Sequence, residues 1–497
     1  MKRLILSSAL VAIVVSGLLA QSRTTQNLPA LFTHVRAAIP EHIELGKEIV
    51  FYSPARIDFD LLRKAQPESH LKLNLFPRFE VTGIVETVEK RDAERLTLYG
   101  TIEEVPEGTF VLVLEVDAVA GIVDLPTYSS NRVHIRALAD GVHLVCQIDP
   151  SQAPRCEGAP EGEPPPDNAP PDVRLPDDLP PPGDFTPAAC SRPDPIVDLI
   201  IYYTARARTQ AGGVNAIRAQ CQAGVAWTNV AYQRSQIPLR MRLVAAFETA
   251  YDESGRTTNE MLNHLTINSD GFIDDAHVNR NTFRADLVAL WFHDGGGIAW
   301  CCANAGSGFS VSGWSGAGAG WLHAHETGHN LGGAHNVEDI DCGGCHSYSR
   351  GHRFIGTDSQ RYITIMSYWT GNYATATMIQ NFSNPSVAFA GVATGIANQR
   401  DNARTIREHS PNVEGFRLTR LNVWVGPATN PQLGTFDFPY ATVATGATNI
   451  ANSGTYDVAF VPFPILHIKS GSYNERPTIN KRMRIEACGG TVRIGAP

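Results

Sequence analysis

The sequence has no basic stripe. Across 497 residues Lys and Arg number 41 against 50 Asp and Glu, a net charge of −9, and no patch of positive charge rises above background. That balance argues against a nucleic-acid partner. Only one apolar run, Leu4 to Ala20, approaches the length needed to cross a bilayer. Lys2 and Arg3 precede it and Ser16, Gly17 and Ala20 close it, the layout of a secretory signal peptide (1–20) rather than a membrane anchor. The chain is therefore expected to be exported and soluble, without stable membrane insertion. No second Cys-x-x-Cys accompanies Cys342–Cys345, so a zinc ribbon lacks half its ligands and a loop staple is expected instead. Asp270, Asp274 and Asp275 fall short of an EF-hand, which leaves calcium unsupported and a solvated loop expected. His264, His277, His293, His323, His346, His352 and His409 share no ligand spacing and are expected to be structural or exposed.

The nine cysteines (146, 156, 190, 221, 301, 302, 342, 345 and 488) take disulfides as their default in an exported chain. Their odd number leaves at least one unpaired in a monomer, and spacing does not give the connectivity.

The composition divides the chain. Residues 21–156 alternate apolar and polar side chains over Leu71–Val88, Leu96–Glu103, Thr109–Val116 and Val133–Ile148, separated by turns such as Pro106-Glu107-Gly108. Period two with turn breaks predicts an antiparallel β unit. It holds no catalytic constellation, and its place after a signal peptide suggests a pro-domain. Residues 157–193 form a linker. Between Glu157 and Ala189, eleven residues are Pro and eight are acidic, against the single Arg174. Such a stretch cannot bury a core and is expected to be extended, solvated and open to proteolytic release. From 194 to 418 the order strand (Ile196–Tyr203), helix (Val214–Arg234), strand (Leu239–Phe247), helix (Thr258–Leu265), strand (Ala285–Phe292) predicts right-handed crossovers and a mainly parallel sheet. Phe309–Trp314 alternates and reads as an edge strand. Residues 419–497 are short apolar runs punctuated by Gly, Asn and Pro. They read as a β module, either the opening coils of a parallel β-helix or a small antiparallel unit.

The densest chemistry lies in Trp321–His335, W-L-H-A-H-E-T-G-H-N-L-G-G-A-H. On a helix His325 and His329, four apart, present two imidazoles on one face. Glu326 can reach a water on an ion held there. Gly332 allows the positive φ that ends the helix, and His335 then arrives as a third nitrogen. Three protein ligands and one open position describe a catalytic zinc site, since a structural one uses all four.

This H-E-x-x-H-x-x-G-x-x-H pattern, followed by Thr364-Ile365-Met366-Ser367-Tyr368-Trp369, resembles the metzincin metallopeptidases. The similarity covers roughly 194–418. Together with Phe382-Ser383-Asn384-Pro385 it looks most like bacterial reprolysin-like enzymes of the peptidyl-Asp type. The resemblance implies a multidomain chain: a β-rich pro-domain, an α/β catalytic domain with zinc helix and Met-turn, and the C-terminal module. It implies one catalytic Zn2+ on His325, His329 and His335, Glu326 as general base, and Met366 as the apolar floor under the ligands. Tyr368 is either an oxyanion donor, as a Tyr at this offset is in related families, or a core aromatic. Asn336 stands where the reprolysin pattern commonly has Asp. The edge strand before the zinc helix would run antiparallel to a bound peptide, and cleavage would fall on the amino side of acidic residues. An Asp-bearing linker (Asp172, Asp177, Asp178, Asp184) would then offer self-processing sites. Ala153-Pro154-Arg155-Cys156 resembles the cysteine switch of matrix metallopeptidases, with Cys156 on the fourth zinc position. The alternative is a disulfide from Cys156 to Cys146, ten residues away, which is the preferred expectation. The function expected is a secreted zinc endopeptidase made as a zymogen and acting on proteins or peptides. The competing readings are a catalytically silent metzincin scaffold used for adhesion, and a surface or carbohydrate contact through the C-terminal module.

Overall fold

The computed structural model describes residues 28–127, 132–138, 140–170, 173–176, 190–339, 342–427 and 430–495. The Leu4–Ala20 run and Asp172, Asp177, Asp178 and Asp184 of the linker lie outside them. Among the described residues no helix is long and apolar enough to cross a membrane. The chain is multidomain and rich in β-structure.

The period-two runs of the first unit form nine strands: β1 (Phe32–His34), β2 (Ile49–Ile57), β3 (His70–Phe76), β4 (Phe79–Lys90), β5 (Arg95–Ile102), β6 (Thr109–Glu115), β7 (Ala118–Asp124), β8 (Arg132–Ala137) and β9 (His143–Ile148). They make one sheet in the order β1-β2-β9-β8-β7-β6-β5-β4-β3, each neighbouring pair antiparallel. Successive side chains of a strand point to opposite faces, so one strand can serve two cores. In β6, Phe110, Leu112 and Leu114 join Leu73, Val85 and Leu98 on one face. Val111 and Val113 point the other way, into a core shared with Ile217 and Trp227 of the helix Val214–Arg234. This explains why β6 and β7 are buried along their whole length. Polar contacts cross the same boundary. Arg132 donates to Asp124 at 2.7 Å and lies 4.6 Å from the Trp227 ring centre. Trp227 Nε1 also donates to Asp124, and a ring nitrogen of His134 bonds Gln220 Oε1 at 2.7 Å.

The second unit is built on β10 (Ile196–Thr204), β11 (Arg240–Thr249), β12 (Leu287–Phe292), β13 (Gly297–Ala299) and β14 (Phe309–Gly313). Their order is β11-β10-β12-β14-β13. The pairs β10–β11, β10–β12 and β12–β14 are parallel, and β13–β14 is antiparallel. The apolar residues of β10 and β12 are buried on both faces, as crossover helices require. The expected edge strand is corrected here. Phe309–Gly313 lies between β12 and β13, and the outer strand is β13, three residues inside a glycine-rich stretch.

The expectation for the linker is also corrected. Its described residues are extended, and many of them are exposed. Yet it is anchored: Glu161 N donates to Asn259 Oδ1 at 3.0 Å, Asp167 pairs with Arg417, and Val173 is buried.

In the C-terminal stretch, strands Asn422–Val425, Ile465–Tyr473 and Arg484–Ile494 form a three-stranded sheet, and both pairs are parallel. The antiparallel alternative is therefore not the arrangement formed, and Thr478–Asn480 forms no strand. A disulfide, Cys190–Cys488, joins the outer strand of this sheet to the start of the second unit. The expected Cys146–Cys156 bridge is not made. Cys146 is a free thiol enclosed in the β9 core, and burial pushes its pKa up to about 11. Its side chain points inward, where residue 156 does not reach.

Candidate active site

The helix Trp321–Asn330 carries His325, Glu326 and His329, all buried. Gly332 takes φ 92° and ends it, and the chain returns so that His335 faces the same point. The Nε2 atoms of His325 and His335 are 2.8 Å apart, and those of His329 and His335 are 2.9 Å apart. The opposite nitrogens are held from behind: His325 Nδ1 bonds the Ile365 carbonyl at 2.8 Å and His329 Nδ1 the Gly333 carbonyl at 3.0 Å. A carbonyl can only accept, so each Nδ1 carries the proton and each Nε2 lone pair faces inward. Burial holds His335 well below the usual histidine pKa, with His325 and Arg350 adding to the effect. Three imidazoles converging at this spacing form a cluster of nitrogen donors suited to a cation. The donor set fits zinc.

A fourth donor stands with them. Cys156 Sγ lies 3.7 Å from His329 Nε2, and the ligand atoms of Cys156, His325, His329 and His335 all lie within 4.8 Å of one another. The sulfur is delivered by a strand addition. Gly297 N donates to the Arg155 carbonyl at 3.2 Å and Glu157 N to the Gly297 carbonyl at 2.8 Å. The resulting bridge between Cys156 and Gly297 is parallel. The approach depends on glycine. A Cβ on Gly296 would lie 1.6 Å from the Arg155 carbonyl oxygen, and one on Gly297 would lie 2.4 Å from Glu326 Oε1. The Glu326 carboxylate thus faces the outer strand, beside the histidine cluster.

Tyr368 closes the other side. Its ring centre is 4.1 Å from that of His335, and its hydroxyl donates to the Cys156 carbonyl at 3.0 Å. Asn336 Oδ1 accepts from Tyr368 N at 2.9 Å, so the residue that departs from the reprolysin pattern positions this tyrosine. Met366 is fully buried beneath the helix, next to the Ile365 carbonyl that holds His325.

Sequence reasoning missed two parts of this frame. One is the Gly296-Gly297 edge. The other is a double staple, Cys301–Cys342 and Cys302–Cys345, which ties the turn after β13 to the loop after His335. The loop is stapled as expected, but to the adjacent pair Cys301-Cys302 rather than to itself. The same turn caps the histidine helix, with Cys302 N and Ala303 N donating to the His329 and Asn330 carbonyls at 2.9 and 3.0 Å. Each bridge spans 41 or 43 residues, which by chain entropy alone stabilises the fold by about 4 kcal/mol. Two neighbouring cysteines facing a Cys-x-x-Cys was the available signal. Asp270, Asp274 and Asp275 serve locally: Asp274 accepts from Ser269 N and Gly271 N, and Asp275 from Tyr202.

Residues 194–383 match the reprolysin-type family described as Metallo-peptidase family M12. The chain is 27% identical over 236 residues to a peptidyl-Asp metalloendopeptidase of Stenotrophomonas maltophilia, covering 46% of this chain and 54% of that protein. It is 26% identical over 315 residues to one of Xanthomonas campestris, covering 63% and 70%. A third, from Pseudomonas aeruginosa, is 28% identical over 281 residues, covering 50% and 45%. The chain thus spans about half the length of several curated relatives it matches. Among solved structures, metalloproteinase-II of Bacteroides fragilis aligns with a TM-score of 0.35 and 10% identity, over 65% of this chain and 90% of that one. The family match coincides with the segment that brings the three histidines together. The chain carries a reprolysin-like metallopeptidase domain of family M12.

Proposed function

We propose that the chain is a secreted zinc-dependent endopeptidase, made in a latent form that its own residues 21–156 hold shut. The observation that carries this reading is the convergence of the His325, His329 and His335 Nε2 atoms with Cys156 Sγ at the fourth corner. His325, His329 and His335 would hold one zinc ion, which supplies Lewis acidity and makes water nucleophilic near neutral pH. Glu326 takes the proton of the attacking water and returns it to the leaving amine. The Tyr368 hydroxyl donates to the oxyanion that develops on the scissile carbonyl. β13 offers backbone groups to an extended substrate chain. The segment 155–157 uses those groups and Tyr368 already, and it runs parallel to β13. A substrate in the resembling family runs antiparallel, so this segment fills the cleft in the reverse direction.

In this reading 194–418 is the catalytic domain, 157–193 the linker in which the chain is cut, and 419–497 an accessory module. The disulfides and the Leu4–Ala20 run support an exported protein. The relatives' name supports cleavage beside acidic residues, on the amino side, including processing at Asp172, Asp177, Asp178 or Asp184. Surface or carbohydrate contact by the C-terminal module has no support from these relatives.

The purified chain, once processed, is expected to digest casein, to lose activity to a chelator and to regain it with zinc. A chelator-insensitive or inert protein overturns the reading in favour of a silent scaffold. The new N-terminus of the processed form is expected to be Asp or Glu; any other residue removes self-cleavage of this kind.

A further inference from the structure

Beyond Cys156 the described linker residues keep contact with the second unit. The Glu157 carboxylate accepts from the Thr258 hydroxyl, and Glu161 N donates to Asn259. The linker then presses on Gly306, where a Cβ would lie 2.5 Å from the Pro165 carbonyl oxygen and 2.8 Å from Asp167 N. Asp167 meets the Arg417 guanidinium with two bonds, 2.8 and 3.0 Å. Farther on, Leu418 N donates to the Val173 carbonyl at 2.7 Å.

The Arg417 pair decides what this surface accepts. Arg417 is 2% exposed, and Arg280 beside it is 1% exposed. The Arg280 nitrogens go to the carbonyls of Ala285, Ala305 and Asp286, none of which carries charge. Burial and the neighbouring Asp198 push the Asp286 carboxyl well above the usual range, and its two oxygens accept from the backbone nitrogens of Asp198 and Arg417 rather than from the Arg417 guanidinium. Asp198 itself is committed to Arg242 at 2.6 and 2.8 Å. Among the described residues, Asp167 is therefore the carboxylate paired with Arg417. Withdrawing it removes the carboxylate from the Arg417 guanidinium, whose other bonds go to the uncharged Asn281 Oδ1 and Phe416 carbonyl, and so favours rebinding of an acid. The flanking glycine and the Pro164-Pro165-Pro166 run preceding Asp167 set the shape of the occupant: extended, stiff and without a helix.

We propose that this surface is a docking groove for an extended, proline-containing acidic peptide, that Arg417 reads its carboxylate, and that the linker is its resident occupant. In the bound direction seen here the acid lies eleven residues beyond the residue at the histidine cluster. The groove does not depend on any chemistry at the cluster.

The test uses full-length chains carrying Glu326→Ala, so that a peptide probe survives, and a fluorescent peptide of residues 161–170. Asp167→Asn in the chain loosens the resident strap. That chain is expected to bind the probe at least tenfold more tightly than the chain with Asp167, with faster hydrogen exchange over 157–170. A probe carrying Asp167→Asn is expected to bind at least tenfold more weakly. Adding Gly306→Ala to the Asp167→Asn chain blocks the groove while leaving Arg417 in place, and is expected to abolish binding. Equal binding by the two chains, equal binding of the two probes, unchanged exchange, or indifference to Gly306→Ala each overturns the proposal.

Discussion

Two sets of buried histidines in this molecule have opposite characters. His134 and His323 are as deeply enclosed as His325, His329 and His335. His134 bonds Gln220, and burial lowers its pKa to about 4. His323 packs at an angle to Trp291 and is pushed to about 3. Each is an isolated imidazole kept neutral by desolvation. In the other set, carbonyls behind the His325 and His329 rings turn their Nε2 atoms towards that of His335. Burial alone therefore does not mark a ligand; convergence of the ring nitrogens does. His323 sharpens the point, because it lies on the same helix two residues before His325 and faces away.

The largest expected difference between the sets is in metal content. His329→Ala is expected to lose bound zinc and to lower activity at least about 1,000-fold, whereas His323→Ala keeps its zinc; atomic absorption on both purified proteins checks this. If His323→Ala also lost the metal without unfolding, the distinction would collapse. Next in size, Tyr368→Phe is expected to lower kcat by roughly 10- to 100-fold with zinc content and KM little changed, since it removes one donor to the oxyanion. An unchanged kcat would return Tyr368 to the role of a core aromatic.

Cys156→Ser in the unprocessed chain is expected to raise basal activity several-fold, because the serine oxygen is a weaker zinc donor than a thiolate. Unchanged latency would assign the block to the 155–157 backbone alone. The smallest effect concerns pH. The His134 pKa in the folded state, about 4, lies below its ordinary 6.5, so the unfolded chain binds the extra proton first. Its contribution is fully present above pH 6.5 and is lost as pH falls towards 4. The neighbouring Arg136 and Arg132 push the same way. Melting curves of the wild type should drop through that window, and His134→Gln should flatten part of the drop.

How much of this could be read from the chain depends on the range of the contacts involved. The motif was legible because His325, Glu326 and His329 sit on one helical turn and His335 follows within ten residues of the first. The strands β10 and β12 were legible because burial on both faces leaves continuous apolar runs. β13 was not, because three residues of Gly-Ile-Ala carry no period and the strand exists only by pairing with Phe309–Gly313 and with Arg155–Glu157. The Cys156 sulfur could not be assigned, because a partner ten residues away looks nearer in sequence than a histidine 173 residues away. The linker misled for a related reason. Proline and acidic residues do predict exposure, but one buried arginine can hold one aspartate against that average.

The Cys190–Cys488 bond has a consequence of its own. It closes about three-fifths of the chain into a covalent ring, with a sequence separation of 298 residues. A protease cut before Cys190 sheds a separate piece. A cut within the ring only opens it, and the two fragments stay on one particle until a reductant separates them. Non-reducing and reducing gels of the same digest should therefore differ for internal nicks and agree for release of the N-terminal unit.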